Sequence, residues 1–173
     1  MNFEEKTLVK NYVYKGKILN LRNDEVLLPD GKTSKREIVE HSGGSAMYCE
    51  KGGKVLLVNQ FRYAYNRVLY ELPAGKLNPG ENPADTAIRE LEEECGVKAG
   101  KVELMFEIYP SPGYTDEIIR VYRATELTET KIRLDEGEFL TSEWFDKNEL
   151  KKMIAHGEIK DGKTLVALLS EIK

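Results

Sequence analysis

Residues 75–97, GKLNPGENPADTAIRELEEECGV, decide the fold because they join a loop rich in glycine and proline to the clearest helix of the chain. Asn82 is a favourable N-cap, and Pro83 suits the first helical position. Gly96 is typical of the residue that ends a helix. An apolar stripe recurs at helical spacing between them, made of Ala84, Ala87, Ile88, Leu91 and Cys95. The stretch therefore predicts an amphipathic helix that begins after a loop and packs on a core.

The last turns of this helix carry an unusual excess of acid. Glu90, Glu92, Glu93 and Glu94 lie within five positions, where the helix macrodipole costs each carboxylate roughly 0.3–1 kcal/mol. Repulsion between Glu90 and Glu94 adds about 0.2–0.5 kcal/mol. At about 100° per residue, Glu90, Glu93 and Glu94 share one face beside the apolar stripe. Two interpretations are open, a solvated acidic face or a site for a hard divalent cation, which prefers carboxylate oxygens.

The spacing of the whole stretch favours the cation site. It resembles the Nudix box, G-x5-E-x7-R-E-U-x-E-E-x-G-U with U apolar, at every specified position. The matching residues are Gly75, Glu81, Arg89, Glu90, Leu91, Glu93, Glu94, Gly96 and Val97. The resemblance implies an α/β fold, a Nudix α/β/α sandwich with a mixed sheet, preceded here by a small N-terminal antiparallel β-sheet.

The same resemblance implies roles for single residues of the box. Glu90, Glu93 and Glu94 would be metal ligands, together with the backbone carbonyl of Ala74 just before the box. Glu93 and Glu94 are therefore also candidate catalytic residues. The implied cofactor is Mg²⁺, or Mn²⁺, with two or three ions. Structural support would come from Gly75, Glu81 and Arg89, with Arg89 orienting the carboxylates; Glu81 is either a loop-to-helix brace or an exposed loop acid.

Motifs outside the box resemble the ADP-ribose pyrophosphatase branch of the family. They are KREIVEH at residues 35–41, QFR at 60–62, ELPAG at 71–75 and SPGYTDE at 111–117. By resemblance, the candidate substrate-binding residues are Arg36, Glu37, Arg62, Glu71 and Pro112. The two arginines suit phosphate because the guanidinium fork binds two oxygens at once; ordinary surface salt bridges are the alternative.

A second acidic segment, LDEGEF at residues 134–139, matches the loop from which that branch supplies a general base. Glu138 aligns best with the base and is the third candidate catalytic residue. Asp135 and Glu136 are its competitors.

The remaining sequence predicts a β-rich N-terminal domain at residues 1–42 and a Nudix domain at 43–173. Strands are expected at 7–14, 18–28, 35–41, 45–50, 55–62, 69–72, 102–111 and 118–124. Helices are expected from Asp146, which with Glu149 resembles a capping box, to about His156, and over 164–172. By resemblance, the N-terminal sheet is exchanged between subunits to build a homodimer, and Arg36 is placed to reach across the interface.

Composition limits the possible partners. The net charge of −4 gives no basic patch, which argues against nucleic acid. No apolar run approaches the ~18 residues of a membrane span. Cys49 and Cys95 match no zinc or disulfide spacing, which is typical of a cytoplasmic protein.

The predicted reaction is ADP-ribose plus water giving AMP and ribose 5-phosphate. Another nucleoside diphosphate sugar, such as GDP-mannose or ADP-glucose, is the first alternative, because Tyr63, Tyr65 and Tyr114 could stack on several bases. A nucleotide-binding regulatory module without hydrolysis is the second. The intact glutamates of the box argue against that module.

Overall fold

The computed structural model describes residues 3–172, which fall into two compact units. The N-terminal unit contains the chain up to Gly43 together with Tyr109–Ile118, and the larger unit contains Gly44–Ile108 and the chain from Ile119 onward. Residues 1, 2 and 173 of the two predicted domains lie outside the described part. The predicted boundary between residues 42 and 43 stays a prediction, since a compact unit has not been shown to fold alone.

Within the described residues, the N-terminal unit is an antiparallel sheet of four strands. They are β1 (Lys6–Val9), β2 (Tyr12–Lys15), β3 (Leu19–Leu27) and β4 (Thr33–His41). β3 pairs with β4 along its full length, and β1 and β2 both pair with β3. The strand predicted at residues 7–14 is thus two strands. It breaks at Asn11, whose backbone N–H donates to Asp24 Oδ1 at 3.1 Å. The predicted N-terminal antiparallel sheet is confirmed.

The segment Tyr109–Ile118 belongs to this unit because it hydrogen-bonds to the end of β4. The backbone N–H of Val39 donates to the carbonyl of Tyr114 at 2.7 Å, and that of Asp116 donates to the carbonyl of Val39 at 3.2 Å. The backbone N–H of His41 donates to Asp116 Oδ1 at 2.9 Å. The strand predicted to reach residue 111 ends at Ile108, so Pro112 lies in a turn.

The larger unit has a mixed sheet, seven-stranded in the part of the chain that is described. The strands are β5 (Gly44–Lys51), β6 (Lys54–Arg62), β7 (Arg67–Glu71), β8 (Ala74–Lys76), β10 (Lys101–Ile108), β11 (Ile119–Thr125) and β13 (Leu140–Asp146). β5 and β11 are parallel, and the other pairings are antiparallel. A separate short ladder joins β9 (Val97–Lys98) to β12 (Thr128–Glu129).

Sequence patterning missed the four strands β8, β9, β12 and β13. The first three have only two or three residues, too few to show a period of two. β13 carries Thr141 and Glu143 at exposed positions and only Phe145 fully buried. Its strand conformation is defined by the ladder with β6, from Leu140 opposite Gln60 to Asp146 opposite Lys54, and that pairing is a long-range property.

Three helices are described between residues 3 and 172: α1 (Pro83–Cys95), α2 (Lys147–Ala155) and α3 (Gly162–Glu171). Asn82 Oδ1 accepts from the N–H of Ala84 at 2.9 Å, and Gly96 ends α1 at φ 62°, as predicted. Asp146 caps α2 through the N–H of Asn148. α3 begins two residues before its predicted start, because Asp161 is its N-cap.

Alternate residues of strand β5 pack into two separate hydrophobic cores, one on each face of the sheet. Ala46 and Tyr48 of β5 pack with α2 and α3, whereas Met47 and Cys49 pack with α1. Because successive side chains of a strand point to opposite faces, α1 covers one face of the sheet and the other two helices cover the other face. The predicted three-layered α/β/α arrangement is confirmed. No helix within residues 3–172 is both long and apolar enough to cross a membrane.

Candidate active site

The loop before α1 lies directly against Glu90. A Cβ added at Gly75 would stand 1.9 Å from Glu90 Oε1 and 2.1 Å from its Cδ. Real Cβ atoms do not approach other atoms so closely, so a side chain at this position would displace the carboxylate. Gly75 therefore forms the cradle that lets Glu90 lie against the backbone of β8.

Arg89 is the hub of the acidic cluster. Its Nε donates to Glu81 Oε1 at 3.0 Å, and its Nη1 donates to Glu90 Oε1 at 2.7 Å and to Glu93 Oε2 at 2.9 Å. Hydrogen bonds from Arg89 lower the pKa of Glu81 to about 2. Glu81 also accepts from the N–H of Asn78 at 3.0 Å, so it is hydrogen-bonded both to the loop and to the helix.

Glu94 is the buried member of the cluster. It is 4% exposed, which argues against the first interpretation of this face, that of a solvated acidic surface, at Glu94. Its Oε2 accepts from the N–H of Ala74 at 3.0 Å, which places Ala74 next to this carboxylate. Burial raises the pKa of Glu94 to about 8, and the nearby charge of Glu90 adds to the effect. Burial likewise raises the pKa of Glu90, against the influence of Arg89.

The loop that follows β12 brings a further carboxylate to this place. Its first part is fixed to the end of α1, because the N–H of Thr130 donates to Gly96 O at 2.7 Å and that of Arg133 donates to Glu93 O at 2.9 Å. Glu138 is exposed, and its Oε2 accepts from the N–H of Asp135 at 3.2 Å. Its charge raises the pKa of both Glu90 and Glu94. Glu138 thus lies within electrostatic reach of the two box glutamates.

The donor set fits a divalent cation, although its side chains are not yet gathered around one point. Among the described residues, no three Asp, Glu, His or Cys side chains converge closely enough to form a ready-made ligand cage. Arg89 binds one oxygen each of Glu90 and Glu93, which leaves the second oxygen of each carboxylate outside these bonds. Hard oxygen donors with an excess of negative charge suit Mg²⁺ or Mn²⁺. Burial and the charges of Glu90 and Glu138 both disfavour the anionic form of Glu94, and a bound cation would oppose both effects.

A second cluster of charges lies at the end of β6 and β7 and is nearly neutral. Glu71 accepts from Arg62 Nε at 2.7 Å and Nη2 at 2.8 Å, and from Lys163 Nζ at 2.5 Å. Lys163 also pairs with Asp161 at 3.0 Å. Burial raises the pKa of Glu71, but the hydrogen bonds from Arg62 and the charge of Lys163 outweigh burial and leave that pKa below its ordinary value.

Three of the predicted substrate-binding residues belong to the N-terminal unit. Arg36 pairs there with Glu5, through Nε at 2.8 Å and Nη2 at 2.5 Å. Glu37 lies on β4 opposite Asn23 of β3, and Pro112 lies in the turn after β10. The structure thus groups Ala74, Gly75, Glu81 and Arg89 with the box glutamates, and Arg62 with Glu71. The roles of all these residues remain predictions.

Sequence reasoning missed Lys163 and Asp161, which complete the cluster around Glu71. Lys163 stands 92 positions from Glu71 in the sequence, so no local pattern links the two. One signal was available: Asp161 three residues before Thr164 is a good N-cap pattern, and it would have placed Lys163 in the first turn of a helix.

Comparison with known proteins identifies the class. A family model described as the NUDIX domain matches residues 40–166, more than half of the chain, and the chain therefore belongs to the Nudix family. Residues 5–39 match a second model, the nucleoside diphosphate sugar hydrolase N-terminal domain. The resemblance drawn from the box and its flanking motifs is confirmed by these two matches.

Individual relatives agree with the family. The chain is 43% identical over 170 residues to an ADP-ribose pyrophosphatase of Bacillus subtilis (strain 168), with 96% of this chain and 92% of the relative covered. It is 40% identical to a methanol dehydrogenase activator of Bacillus methanolicus (96% and 91% covered). It is 35% identical to a GDP-mannose pyrophosphatase of Yersinia enterocolitica (82% and 81% covered).

A solved structure supports the fold. The crystal structure of an ADP compounds hydrolase superposes on 98% of this chain and 93% of its own with a TM-score of 0.85, at 16% sequence identity.

Proposed function

We propose that this protein hydrolyses the diphosphate bond of ADP-ribose to give AMP and ribose 5-phosphate. The observation that carries the reaction type is the crowding of carboxylates around the buried Glu94: burial first, and then the charges of Glu90 and Glu138, raise the pKa of Glu94 to about 8. A cation that binds there would offset this charge and meet an anionic substrate. The choice of ADP-ribose is supported by the name of the relative that shares 43% of its residues.

Glu90, Glu93 and Glu94 would hold the metal, Mg²⁺ or Mn²⁺, with the Ala74 carbonyl beside them. The family resemblance implies two or three such ions. When bound, such ions shield the charge of the diphosphate and lower the pKa of coordinated water. Arg89 would keep the carboxylates of Glu90 and Glu93 in place, since it already donates to both. Gly75 would keep the backbone clear of Glu90.

The protein's own groups would then bind the substrate and move the proton. Arg62 is 42% exposed at its side chain while its partner Glu71 is 2% exposed, so its guanidinium is the member of that pair that can reach a phosphate. Glu71 would therefore orient Arg62 rather than touch the substrate. Glu138 would accept the proton of the attacking water, because it lies within reach of Glu90 and Glu94 and is not buried. Asp135 and Glu136 are its rivals in the same loop.

The N-terminal unit would complete the site through a homodimer. Its first strands expose an unusual amount of apolar surface: Leu8, Val9, Val13, Tyr14 and Ile18 are all between 49% and 60% exposed. A second copy of the sheet would cover some of these side chains, since exposed apolar groups of this kind mark interaction surfaces. Arg36, Glu37 and Pro112 would contact the substrate from this unit, with Arg36 exchanging Glu5 for a phosphate.

The alternative substrate is another nucleoside diphosphate sugar, such as GDP-mannose or ADP-glucose. The relative named GDP-mannose pyrophosphatase favours this alternative. The exposed rings of Tyr63 and Tyr65, 91% and 71% accessible, could stack on either base. A regulatory role without hydrolysis has one supporting observation, the likeness to the methanol dehydrogenase activator of Bacillus methanolicus. The complete set of box glutamates in this chain favours hydrolysis.

The proposed compartment is the cytoplasm. Cys49 and Cys95 are free and buried, and burial raises the pKa of the Cys49 thiol to about 12. Thiols in that state are unreactive, and they suit a reducing environment.

The deciding experiment measures the products from ADP-ribose, GDP-mannose and ADP-glucose, each with Mg²⁺ and with a chelator. We expect Mg²⁺-dependent release of AMP from ADP-ribose at the highest kcat/KM of the three. A higher value for GDP-mannose would transfer the proposal to that substrate. No turnover of any of the three would remove the hydrolase proposal and favour the regulatory module.

A further inference from the structure

Among the lysines that the structure describes, Lys163 is the one that is buried, and it has no place in the chemistry described so far. Its side chain is 8% exposed, and its Nζ lies 2.5 Å from Glu71 Oε2 and 3.0 Å from Asp161 Oδ1. A buried ammonium is costly unless it is paired. Both of its partners are therefore part of the reason that it can remain charged here.

The first turn of α3 holds Lys163 in a fixed position. Asp161 caps the helix, because its Oδ2 accepts from the N–H of Thr164 at 3.0 Å and from the hydroxyl of Thr164 at 2.6 Å. The same hydroxyl accepts from the N–H of Leu72 at 2.8 Å. Leu72 directly follows Glu71, so α3 is attached to the backbone next to the carboxylate that Lys163 binds.

The net charge of this cluster decides how strongly Arg62 can attract an anion. Two cations, Arg62 and Lys163, face two carboxylates, Glu71 and Asp161. Without Lys163, the cluster would carry a net charge of −1, and the field of Glu71 and Asp161 would oppose an anion that approaches Arg62. With Lys163 present, the cluster is neutral, so this field is offset and the half-exposed Arg62 can attract an anion.

Arg62 also faces open space. It lines a cleft of about 400 Å³ together with Tyr63, Tyr65 and Leu69, and Glu71 and Lys163 are among the lining residues. Since the side chains of Glu71 and Lys163 are almost fully buried and that of Arg62 is not, the two buried groups support the one that reaches into the cleft.

We infer that Lys163 is a positioning residue for the diphosphate of the substrate, which acts by offsetting the charge of Glu71 and Asp161 so that Arg62 stays available to a phosphate. This inference rests on the proposed function. It assigns to the C-terminal helix a part in substrate binding, although Lys163 itself does not touch the substrate.

The test is the steady-state kinetics of ADP-ribose hydrolysis by Lys163→Met. Loss of one charge-assisted contact should raise KM about tenfold while kcat stays within about twofold. Lys163→Arg, which restores a cation, should recover most of the affinity. The matched control is Lys147→Met. Lys147 is also at the start of a helix and ion-paired, 2.6 Å from Glu50 Oε2, and we expect its kinetics to match those of the wild type.

A double-variant cycle separates positioning from a structural role. In an Arg62→Ala background, Lys163→Met should have almost no further effect on KM, because the group through which it acts is gone. If Lys163→Met proves unfolded by circular dichroism, Lys163→Gln replaces it, since the amide can still donate to Glu71 without a charge.

An unchanged KM in both Lys163→Met and Lys163→Gln would overturn the inference, as would a full effect of Lys163→Met in the absence of Arg62. These outcomes require that the wild-type enzyme turns over ADP-ribose. Failure of the wild type itself would instead overturn the proposed function, and the inference with it.

Discussion

The two clusters of charge in the larger unit differ in their ratio of carboxylates to cations. Around α1, Arg89 pairs with three carboxylates of the box, those of Glu81, Glu90 and Glu93, whereas the fourth, Glu94, accepts from the N–H of Ala74. Around Glu71, two carboxylates face two cations at distances of 2.5 to 3.0 Å. The difference appears in the pKa values: burial raises the pKa of Glu94 to about 8, whereas Glu71, which is as deeply buried, has a pKa below its ordinary value because of Arg62 and Lys163.

Because Glu71 and Glu94 are both buried but have pKa values shifted in opposite directions, burial alone does not identify a metal site. A balanced cluster is complete in itself and fixes the orientation of its exposed member. An unbalanced cluster has too few cations, so its ionised carboxylates are destabilised and a carboxylate pKa is raised. Substitutions that change each balance separately should therefore have different kinetic signatures.

The largest effect is expected from Glu94→Gln. The amide keeps the shape and the acceptor for the Ala74 N–H but removes a negative ligand, so kcat should fall about a thousandfold. The fold should survive, since a buried neutral amide replaces a group that burial already disfavours as an anion. Glu92→Gln is the matched control, because Glu92 lies on the same helix but pairs with Arg133. Equal activity of the two variants would show that the assignment of Glu94 is wrong.

Replacement of Gly75 tests the cradle for Glu90. In Gly75→Ala, the new methyl group would overlap the carboxylate of Glu90 and displace it, and we expect kcat/KM to drop about a hundredfold. Gly162→Ala provides the control, since a Cβ there meets nothing within 4 Å. The measurement is kcat/KM with ADP-ribose at saturating Mg²⁺. Full activity in Gly75→Ala would mean that the position of Glu90 is unimportant.

Glu138→Gln should lower the activity about as much as Gly75→Ala, or less. If Glu138 is the general base, kcat should decrease about a hundredfold with KM nearly unchanged. Asp135→Asn and Glu136→Gln, measured in parallel, decide between the three acids of the loop. The residue whose neutral variant loses kcat is the base, and a loss in Asp135→Asn or Glu136→Gln alone would move the assignment.

The smallest effect should come from the balanced cluster. Arg62→Ala removes a ground-state contact with phosphate, so KM should rise about tenfold with little loss of kcat. Arg67→Ala, on the exposed start of the neighbouring strand, is the control. A pure kcat effect in Arg62→Ala would contradict the binding role and would place this arginine in the transition state.

Much of the fold could be predicted from local patterns. The caps at Asn82 and Gly96 and the apolar stripe between them defined α1, and the strand predicted at residues 55–62 is found as β6, Lys54–Arg62. The box spacing also located the acidic cluster. These features are local, and each has a short-range physical cause.

What could not be predicted depends on contacts between distant parts of the chain. Strand β13 is defined by pairing with β6, at least 80 positions away. Glu94 lies at the border of the apolar stripe, and its burial follows from how closely α1 approaches Ala74. The role of Lys163 depends on a contact across 92 positions. The sequence therefore identifies which residues are acidic or basic, but the packing decides which of them are left without a counter-charge.

The most direct test of the unbalanced cluster is calorimetric titration of Mn²⁺ into wild-type protein, Glu92→Gln and Glu94→Gln, without substrate. We predict saturable binding to the wild type and to Glu92→Gln, and at least about tenfold weaker binding to Glu94→Gln. Identical binding curves for all three proteins would contradict the claim that the end of α1 is completed by a divalent cation.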